Sequence, residues 1–443
     1  MNIKIIKNFI KKKIANKKEN QIIYLRALIH LINYFLYSSY RKKKCIVNPS
    51  IEFFYKYKNL ANYFSIPLWF VARYLKKKKI FISMNNCCNE SMGHIYAEID
   101  LLKRMQHFEK KYLSSVIWFT TSRKEILSET KDILENKNFK VLFGGIKRII
   151  LTFVGIKYPS VTIDGSISHT NFFLGKNYKN RIVYNTKPKQ RIRLHEINKN
   201  YFPLSEKMKN YSIETLNLMQ NLNITKKYVV IQIKTQKVNG TLKPLSPDLL
   251  LNTIEYFQNK DYQIVFAGRE KFPNTFLNKS IINYANSKYA SALNDFLIIR
   301  NCSLVISSAS GFHNLADSLN KPVLIINGHH LIQNFGTRSI YLPTILSHRS
   351  KAFNAKIQHN YLCTYGADCG YDSCDDLCIF HMPTSEEILI GAKETEEMLS
   401  EKIPTFTTLQ KKICNNGGCP LMTFGLSRIS DNYLTKHRFF FED

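Results

Sequence analysis

Apolar and polar positions between residues 79 and 165 follow a pattern that predicts strands and helices in turn. Short apolar runs have strand length, and apolar residues recur every three or four positions in the segments between them. The predicted strands are residues 79–84, 115–120, 139–144 and 160–165, and the predicted helices are residues 93–108 and 128–136. This alternation is typical of a parallel sheet covered on both faces. We therefore predict an N-terminal Rossmann-like domain over residues 79–212, in which the polar segment 176–212 holds a helix and a linker.

The same alternation restarts after residue 227 and predicts a second Rossmann-like α/β domain over residues 213–382. Its predicted strands are residues 228–234, 263–268, 304–308 and 322–328, and its predicted helices are residues 246–259, 292–301 and 311–319. Ser246 is the predicted cap of its helix, followed by Pro247 in the first turn. Thr384 and Glu387 match a capping box and predict a helix over residues 383–400. The remainder to residue 443 is predicted to be a tail of loops and short pieces.

Two parallel sheets that face each other would form a cleft at the carboxyl ends of their strands, where such sheets bind ligands. In the second domain this edge contains a serine-rich turn that opens the helix at Gly311. A helix that begins there leaves its first backbone N–H groups unpaired, and their partial positive charge suits a phosphate. The alternative is a well-capped helix that binds nothing, since serine is a common cap.

Charged residues at the ends of the neighbouring strands extend this candidate phosphate site. Lys234 would neutralise a diphosphate, Arg269 would pair with a phosphate, and Glu270 would accept hydrogen bonds from a ribose diol. A solvated charge is the alternative for each of the three. The candidate donor-binding residues are Lys234, Arg269, Glu270, Ser308, Ser310, Gly311, Phe312, His313 and Asn314, with His313 expected to assist if it is cationic.

The net charge of +31 is concentrated near the N-terminus, where residues 1–79 contain 19 Lys or Arg against two Glu. The apolar stretch 22–37 is interrupted by polar residues and is too short to span a bilayer. Together with residues 63–79 it predicts a basic, aromatic, helical segment over residues 1–78 that lies on an anionic membrane surface. Buried helices with solvated lysine faces are the alternative. Nucleic acid is not the expected partner, because no zinc-finger or RNA-binding signature accompanies the charge.

Four of the ten cysteines cluster in a predicted insertion over residues 363–378. Cys363, Cys369, Cys374 and Cys378 could hold a structural zinc, but their spacing lacks the usual CxxC pairs. Redox-labile thiols and unliganded cysteines are the alternatives that stay open.

The order of these elements resembles the nucleotide-sugar half of GT-B glycosyltransferases, and it is similar to bacterial heptosyltransferases. The matching segments are "AGRE" (267–270), "LVISS" (304–308), "SASGFHNLA" (308–316) and "KPVLIING" (321–328). A family of bacterial surface-polysaccharide glycosyltransferases is closer, because its N-terminal half has a Gly-His pair followed by a helix with acidic residues. Gly93, His94, Glu98 and Asp100 match that pattern here. Ala309 or Ser308 stands in place of the acidic residue of the heptosyltransferase turn.

This resemblance implies a GT-B fold and transfer of a sugar from a nucleotide-sugar donor to a lipid-linked surface glycan. The enzyme would lie at the inner face of the cytoplasmic membrane, and the reaction would be inverting. No metal or other cofactor is expected at the leaving group, because no DxD pair stands at a strand end. The candidate bases are His94, Glu98 and Asp164, and Gly93 belongs to the predicted acceptor loop. A non-catalytic polyanion-binding protein and a UDP-sugar epimerase-like enzyme are the alternatives.

Overall fold

Two parallel β-sheets with flanking helices make up the computed structural model of the chain. It describes residues 65–84, 92–108, 114–120, 128–143, 147, 150–151, 153–155, 158, 161–164, 182–183, 201–235, 245–328, 338–348, 378–400, 405–415 and 428–438. The predicted membrane stretch 22–37 and most of the cysteine-rich insertion lie outside these residues. The predicted mixed α/β fold with two parallel sheets is confirmed.

The first sheet has five strands in the order β3-β2-β1-β4-β5, and every neighbouring pair is parallel. Its strands are β1 (Ile80–Met84), β2 (Ser115–Thr120), β3 (Phe139–Phe143), β4 (Thr162–Asp164) and β5 (Ile182–Val183). The helices of residues 65–221 are α1 (Ser65–Lys77), α2 (Met92–Phe108), α3 (Lys131–Leu134), α4 (Pro203–Met208) and α5 (Ser212–Asn221). Ile82 and Trp118 are fully buried in adjacent strands, as expected where helices cover both faces of a parallel sheet.

The second sheet has seven strands in the order β14-β11-β10-β9-β6-β7-β8, again with every neighbouring pair parallel. Its strands are β6 (Tyr228–Gln232), β7 (Gln263–Phe266), β8 (Ile281–Asn283), β9 (Leu304–Ser308), β10 (Val323–Gly328), β11 (Ser339–Pro343) and β14 (Arg428–Ile429). A separate antiparallel pair consists of β12 (Ile345–His348) and β13 (Cys378–His381). All residues of β6 and β9 are buried, which is why both appear in the sequence as nearly continuous apolar runs.

The helices of the second half flank this sheet and include three close to the chain's C-terminus. They are α6 (Leu251–Asn259), α7 (Ala292–Asn301), α8 (Gly311–Ser318), α9 (Ser385–Glu397), α10 (Thr408–Asn415) and α11 (Asp431–Lys436). The capping box that predicted α9 is present, because the Thr384 hydroxyl accepts the Glu387 N–H and the Glu387 carboxylate accepts the Thr384 N–H.

Three local predictions need correction. The predicted helix 246–259 begins as a 3-10 helix at Pro247–Leu250, and the Ser246 side chain makes no capping bond. The predicted helix 128–136 is interrupted at Thr130, after helical residues 128–129, and continues as a single turn, α3. The predicted tail contributes β14 to the second sheet, so part of it belongs to that domain. The predicted domain limits otherwise stay predictions.

Contacts between helices and loops join the two halves of the chain. Helix α2 of the first half packs against α8 of the second. The rings of Tyr96 and Phe296 meet edge to face with centroids 4.8 Å apart. The Ala292 N–H, at the start of α7, donates to the Glu129 carboxylate over 2.9 Å. An acidic side chain at a helix N-terminus is stabilised by the helix dipole, so this contact is favourable in sign.

Candidate functional site

Polar side chains collect at the carboxyl edge of the second sheet, where β6 and β9 end side by side. Gln232, the last residue of β6, is paired in register with Ser307 of β9. Ile326 of β10 is paired with Ser308, so the serine-rich turn leaves the sheet between two buried strands. The edge is therefore built from neighbouring strands, as predicted for a ligand site in a parallel sheet.

Gln232 is the centre of this edge, although no local pattern in the sequence marks it as a site residue. Its side chain is buried, and its Oε1 atom lies 2.9 Å from the Ser307 Oγ and 2.5 Å from the Ser310 Oγ. The two serine hydroxyls are themselves 3.0 Å apart. One amide oxygen thus ties the end of β9 to the start of α8. A buried acceptor with two hydroxyl partners is fully used inside the protein.

Gly268 gives Gln232 the space that this arrangement needs. Its φ of +105° is a conformation that side chains with a Cβ rarely adopt. A Cβ built there would lie 2.9 Å from the Gln232 Cγ. The glycine of the "AGRE" segment therefore has a packing role at the end of β7, next to the two charged residues predicted to bind the donor.

The start of α8 is a capping box, which uses part of the N–H groups that the sequence predicted to be unpaired; phosphate binding at this helix start stays a prediction. The Ser310 hydroxyl accepts the Phe312 N–H over 3.2 Å, and the His313 Nδ1 accepts the Ser310 N–H over 2.8 Å. Because a backbone N–H can only donate, Nδ1 is unprotonated, so the condition under which His313 was expected to assist, a cationic ring, is not met. These contacts agree with the alternative interpretation, in which the helix is simply well capped. Ser310 and His313 have a structural role here, because each accepts an N–H at the start of the helix.

Phe312 and Asn314 stand differently from the capping residues. Phe312 is partly buried against the main hydrophobic core, and Asn314 is buried. Within the described part of the chain, the Asn314 Oδ1 has no hydrogen-bond partner. A buried carbonyl oxygen is costly in that state.

Lys234 and Glu270 form the charged part of the edge. Lys234 is half-buried, and its backbone N–H donates to the Ser308 Oγ over 3.1 Å. Burial lowers the pKa of the Lys234 ammonium, and the nearby Glu270 carboxylate opposes that shift. Glu270 is held in place by the Thr235 hydroxyl, which donates to its Oε2 over 2.9 Å. The structure therefore brings together Lys234, Glu270 and Ser308, as predicted, while Arg269 beside them is exposed.

The candidate residues of the first half are placed only in part. Gly93 and His94 lie in the first turn of α2. Gly93 was predicted to lie in the acceptor loop, but it is helical. Glu98 lies on the same helix, and Asp164 is the last residue of β4. Their side chains are outside the described set, and their catalytic roles stay predictions. Asp100, also on α2, is buried and accepts from the Arg104 Nε over 2.7 Å, which is a structural role.

Two further predictions fall largely outside the described residues. Cys363, Cys369 and Cys374 are not described, and Cys378 is described only as the first residue of β13. The zinc site therefore stays a prediction. None of the helices in the described ranges has the length and hydrophobicity required to cross a membrane.

Comparisons with known proteins give no family for the chain. Neither a scan against protein-family models nor a search of curated proteins finds a match. Among solved structures, the E. coli heptosyltransferase WaaC with ADP-2-deoxy-2-fluoro heptose is similar over 59% of this chain and 92% of its own, at 11% identity and TM-score 0.35. A glycosyl transferase family 9 protein from Veillonella parvula matches over 72% and 97%, at 11% identity and TM-score 0.39. The wall teichoic acid polymerase TagF matches over 87% and 93%, at 12% identity and TM-score 0.32. With TM-scores this low, these likenesses carry no argument about this chain.

Proposed function

We propose that the chain is a glycosyltransferase that takes a sugar from a nucleotide-sugar donor. The observation that supports this best is the half-buried Lys234 beside Ser308 and Glu270 at the carboxyl edge of the second sheet. The similar solved structures include glycosyltransferases, one of them solved with an ADP-sugar analogue. The proposal agrees with them and does not depend on them.

Lys234 has the properties expected of a cation whose charge an anionic ligand would stabilise. Burial disfavours its charge and lowers its pKa, and Glu270 offsets this only in part. A diphosphate at this edge would add negative charge next to the ammonium and raise its pKa again. The Ser308 hydroxyl accepts the Lys234 N–H and keeps its own proton for a phosphate oxygen. In this proposal Lys234 is the main diphosphate partner.

Glu270 and Arg269 are proposed to bind the rest of the donor. The Thr235 hydroxyl occupies the Glu270 Oε2, which leaves Oε1 to accept hydrogen bonds from a ribose diol. Arg269 is exposed at the same strand end and can reach a phosphate or the acceptor.

The proposed reaction is a single displacement without a metal ion. An acceptor hydroxyl oxygen attacks the anomeric carbon while the bond from that carbon to the diphosphate oxygen breaks. The electron pair leaves with the diphosphate, and Lys234 stabilises the growing charge. The acceptor proton passes to a base from the first half, for which His94, Glu98 and Asp164 are the candidates. Attack from the face opposite the leaving group inverts the anomeric configuration.

We further propose a lipid-linked glycan as the acceptor, at the inner face of the cytoplasmic membrane. The support is the basic N-terminal segment, because its charge favours an anionic surface. The alternative of a non-catalytic polyanion-binding protein draws on the same charge, and the experiment below separates the two.

The decisive measurement is the thermal stabilisation of the purified chain by UDP, GDP, CDP and ADP, in the presence of a chelator. One of these nucleotides should raise the melting temperature of the wild type, because a ligand that binds only the folded state stabilises it. In Lys234→Met the dissociation constant should rise about tenfold or more, the effect of losing a charged partner. The variant's own melting temperature should be equal or higher, because a buried charge is removed.

Lys227→Met is the matched control, since Lys227 is exposed and directly precedes the opposite end of β6. It should bind the nucleotide as the wild type does. Equal affinities for the two variants, or no response to any nucleotide beside salt-dependent binding to DNA, would favour the polyanion-binding alternative. Release of free nucleoside diphosphate from the matching nucleotide sugar would then establish turnover.

A further inference from the structure

Helix α1 has two apolar faces. One is buried against the first half of the chain, and the other is exposed. Leu68, Ala72 and Leu75 pack with Ile82 of β1 in a core cluster of the first half. These contacts fix the orientation of the helix on its sheet. An ordinary surface helix would be polar on the side that faces away from such a core.

The outward side of α1 is instead lined with large apolar residues, which we call the aromatic face: Ile66, Trp69, Phe70 and Tyr74. Their exposed fractions are 70%, 41%, 61% and 57%. Residues three and four positions apart on a helix share one stripe, so these side chains are contiguous. Trp69 and Phe70 also meet edge to face with ring centroids 5.0 Å apart. Of the eight large apolar side chains exposed in the described ranges, four are on this helix.

Positive charge borders the aromatic face, and no acidic residue interrupts it. Residues 65–84 contain Arg73, Lys76, Lys77, Lys78 and Lys79, and neither Asp nor Glu. The Arg73 guanidinium lies 5.1 Å from the centre of the Trp69 ring, so charge and apolar surface are in direct contact. The two lysines in the last turn of α1 stand at the negative end of the helix dipole.

We infer that the aromatic face of α1 docks on an anionic lipid bilayer, with its rings in the headgroup region and Lys76–Lys79 against the lipid phosphates. Trp and Tyr prefer that region because each has an apolar body and a polar atom. Each lysine near an anionic surface adds electrostatic attraction. A protein partner fits less well, because lysine is depleted from protein interfaces. This deepens the proposed location at the membrane, but it does not require the proposed transfer reaction.

Co-sedimentation of the full chain with vesicles tests the inference. The chain should bind vesicles of phosphatidylcholine and phosphatidylglycerol, and bind pure phosphatidylcholine much less. The double variant Trp69→Ser with Phe70→Ser should bind the anionic vesicles more weakly by a factor of about ten or more, because two inserted rings are lost. Lys76→Gln with Lys77→Gln should lose about tenfold and depend less on salt.

The matched control is Ile213→Ser with Leu216→Ser on α5, whose side chains are exposed by 71% and 62%. It removes similar apolar surface from another exposed helix and should bind as the wild type does. All variants change exposed side chains, and their melting temperatures and nucleotide binding should stay at wild-type values.

Tryptophan fluorescence reports directly on the aromatic face, because the chain has two tryptophans and Trp118 is fully buried. Acrylamide should quench the Trp69 emission in solution, and anionic vesicles should protect it. Three results would overturn the inference. Trp69 could be protected already without vesicles, which residues 1–64 or a second copy on this face would cause. The Trp69/Phe70 variant could bind vesicles as well as the wild type does, or DNA and not vesicles could protect Trp69. The vesicle assay contains no nucleotide, so a negative result there would not count against the proposed transfer reaction. In the same way, a chain that fails to bind nucleotide could still dock on the membrane.

Discussion

At the scale of single residues, the Gln232 amide oxygen organises the carboxyl edge of the second sheet. It accepts from the hydroxyls of Ser307 and Ser310, and the latter caps α8. We predict that Gln232→Met lowers the free energy of unfolding by about 1–2 kcal/mol, because the half-buried Ser310 hydroxyl loses its amide acceptor and the buried Ser307 hydroxyl keeps only the Ser308 carbonyl. Gln232→Glu keeps an acceptor for both hydroxyls, so it should be the more stable of the two. It also places a negative charge two residues from Lys234, so it should weaken nucleotide diphosphate binding by about tenfold.

Urea unfolding and calorimetric titration with the stabilising nucleotide measure these two effects separately. Gln220→Met on the surface of α5 is the control and should match the wild type in both. A Gln232→Met variant as stable as the wild type would show that the serine hydroxyls find other acceptors, and that Gln232 does not organise the edge.

At the scale of elements, Glu387 joins the start of α9 to the end of α11. Its carboxylate accepts from the Thr384 N–H over 2.8 Å, and its Oε1 lies 2.9 Å from the Lys436 Nζ and 2.8 Å from the His437 Nε2. Burial by itself would raise the pKa of Glu387, but these three partners outweigh it and hold that pKa below its ordinary value. The ionised form therefore stabilises the fold at neutral pH, and this stabilisation is lost as the pH falls through the lowered pKa.

We predict that Glu387→Gln lowers the free energy of unfolding by about 1–2 kcal/mol at pH 7. The difference from the wild type should shrink as the pH falls through the lowered pKa of Glu387, because the wild-type carboxylate is then protonated as well. Urea unfolding at a series of pH values measures it. Glu386→Gln, one residue earlier and exposed, should cost much less. A constant difference at every pH would mean that shape and not charge is what Glu387 provides.

The sequence predicted those elements whose signal is a local motif or a pattern of apolar residues that repeats along the chain. β6 and β9 were predictable because both faces of each strand are buried, and α9 because its capping box lies within four residues. Gln232 was missed because its partners are 75 and 78 positions away in sequence, at the far end of another strand. The two-residue β14 was missed because so short a strand has no periodicity of its own and depends on pairing with β11. The capping box at the start of α8 was missed because a histidine three residues after the cap accepts the Ser310 N–H in place of the usual Glu or Gln.

At the scale of the whole molecule, a carboxyl group with a raised pKa lies near the contact between the two halves. Burial raises the pKa of Asp295 to about 7, although the Tyr284 hydroxyl, 2.9 Å away, and the positive charge of Arg269 act in the opposite direction. Glu129 of the first half adds to the rise by like-charge repulsion. The protonated form is the one that suits the fold, so this contribution to stability is complete below the unfolded pKa near ~4 and is lost as the pH rises through about 7.

We predict that Asp295→Asn raises the free energy of unfolding at pH 8 by roughly 1–3 kcal/mol and changes it little below pH ~4. The amide can still accept from the Tyr284 hydroxyl while carrying no charge. Unfolding curves of both proteins between these pH values test this, and Asp248→Asn, at an exposed site, should not alter the slope. A variant less stable than the wild type at pH 8 would mean that the ionised carboxylate, paired with Arg269, is the form that the molecule uses.

The position of β14 at one edge of the second sheet has a consequence for how the chain is made. The strand that completes this sheet is residues 428–429, and the Tyr433 hydroxyl just beyond it donates to the Pro343 carbonyl at the end of β11. A ribosome must therefore translate past residue 433 before β11 acquires its outer neighbour. Until then the nascent sheet presents a bare strand with unsatisfied backbone groups, which other unfinished chains can pair with. Premature termination shortly before β14 should accordingly yield insoluble product, even though every residue at the carboxyl edge that we propose to bind the donor has already been synthesised.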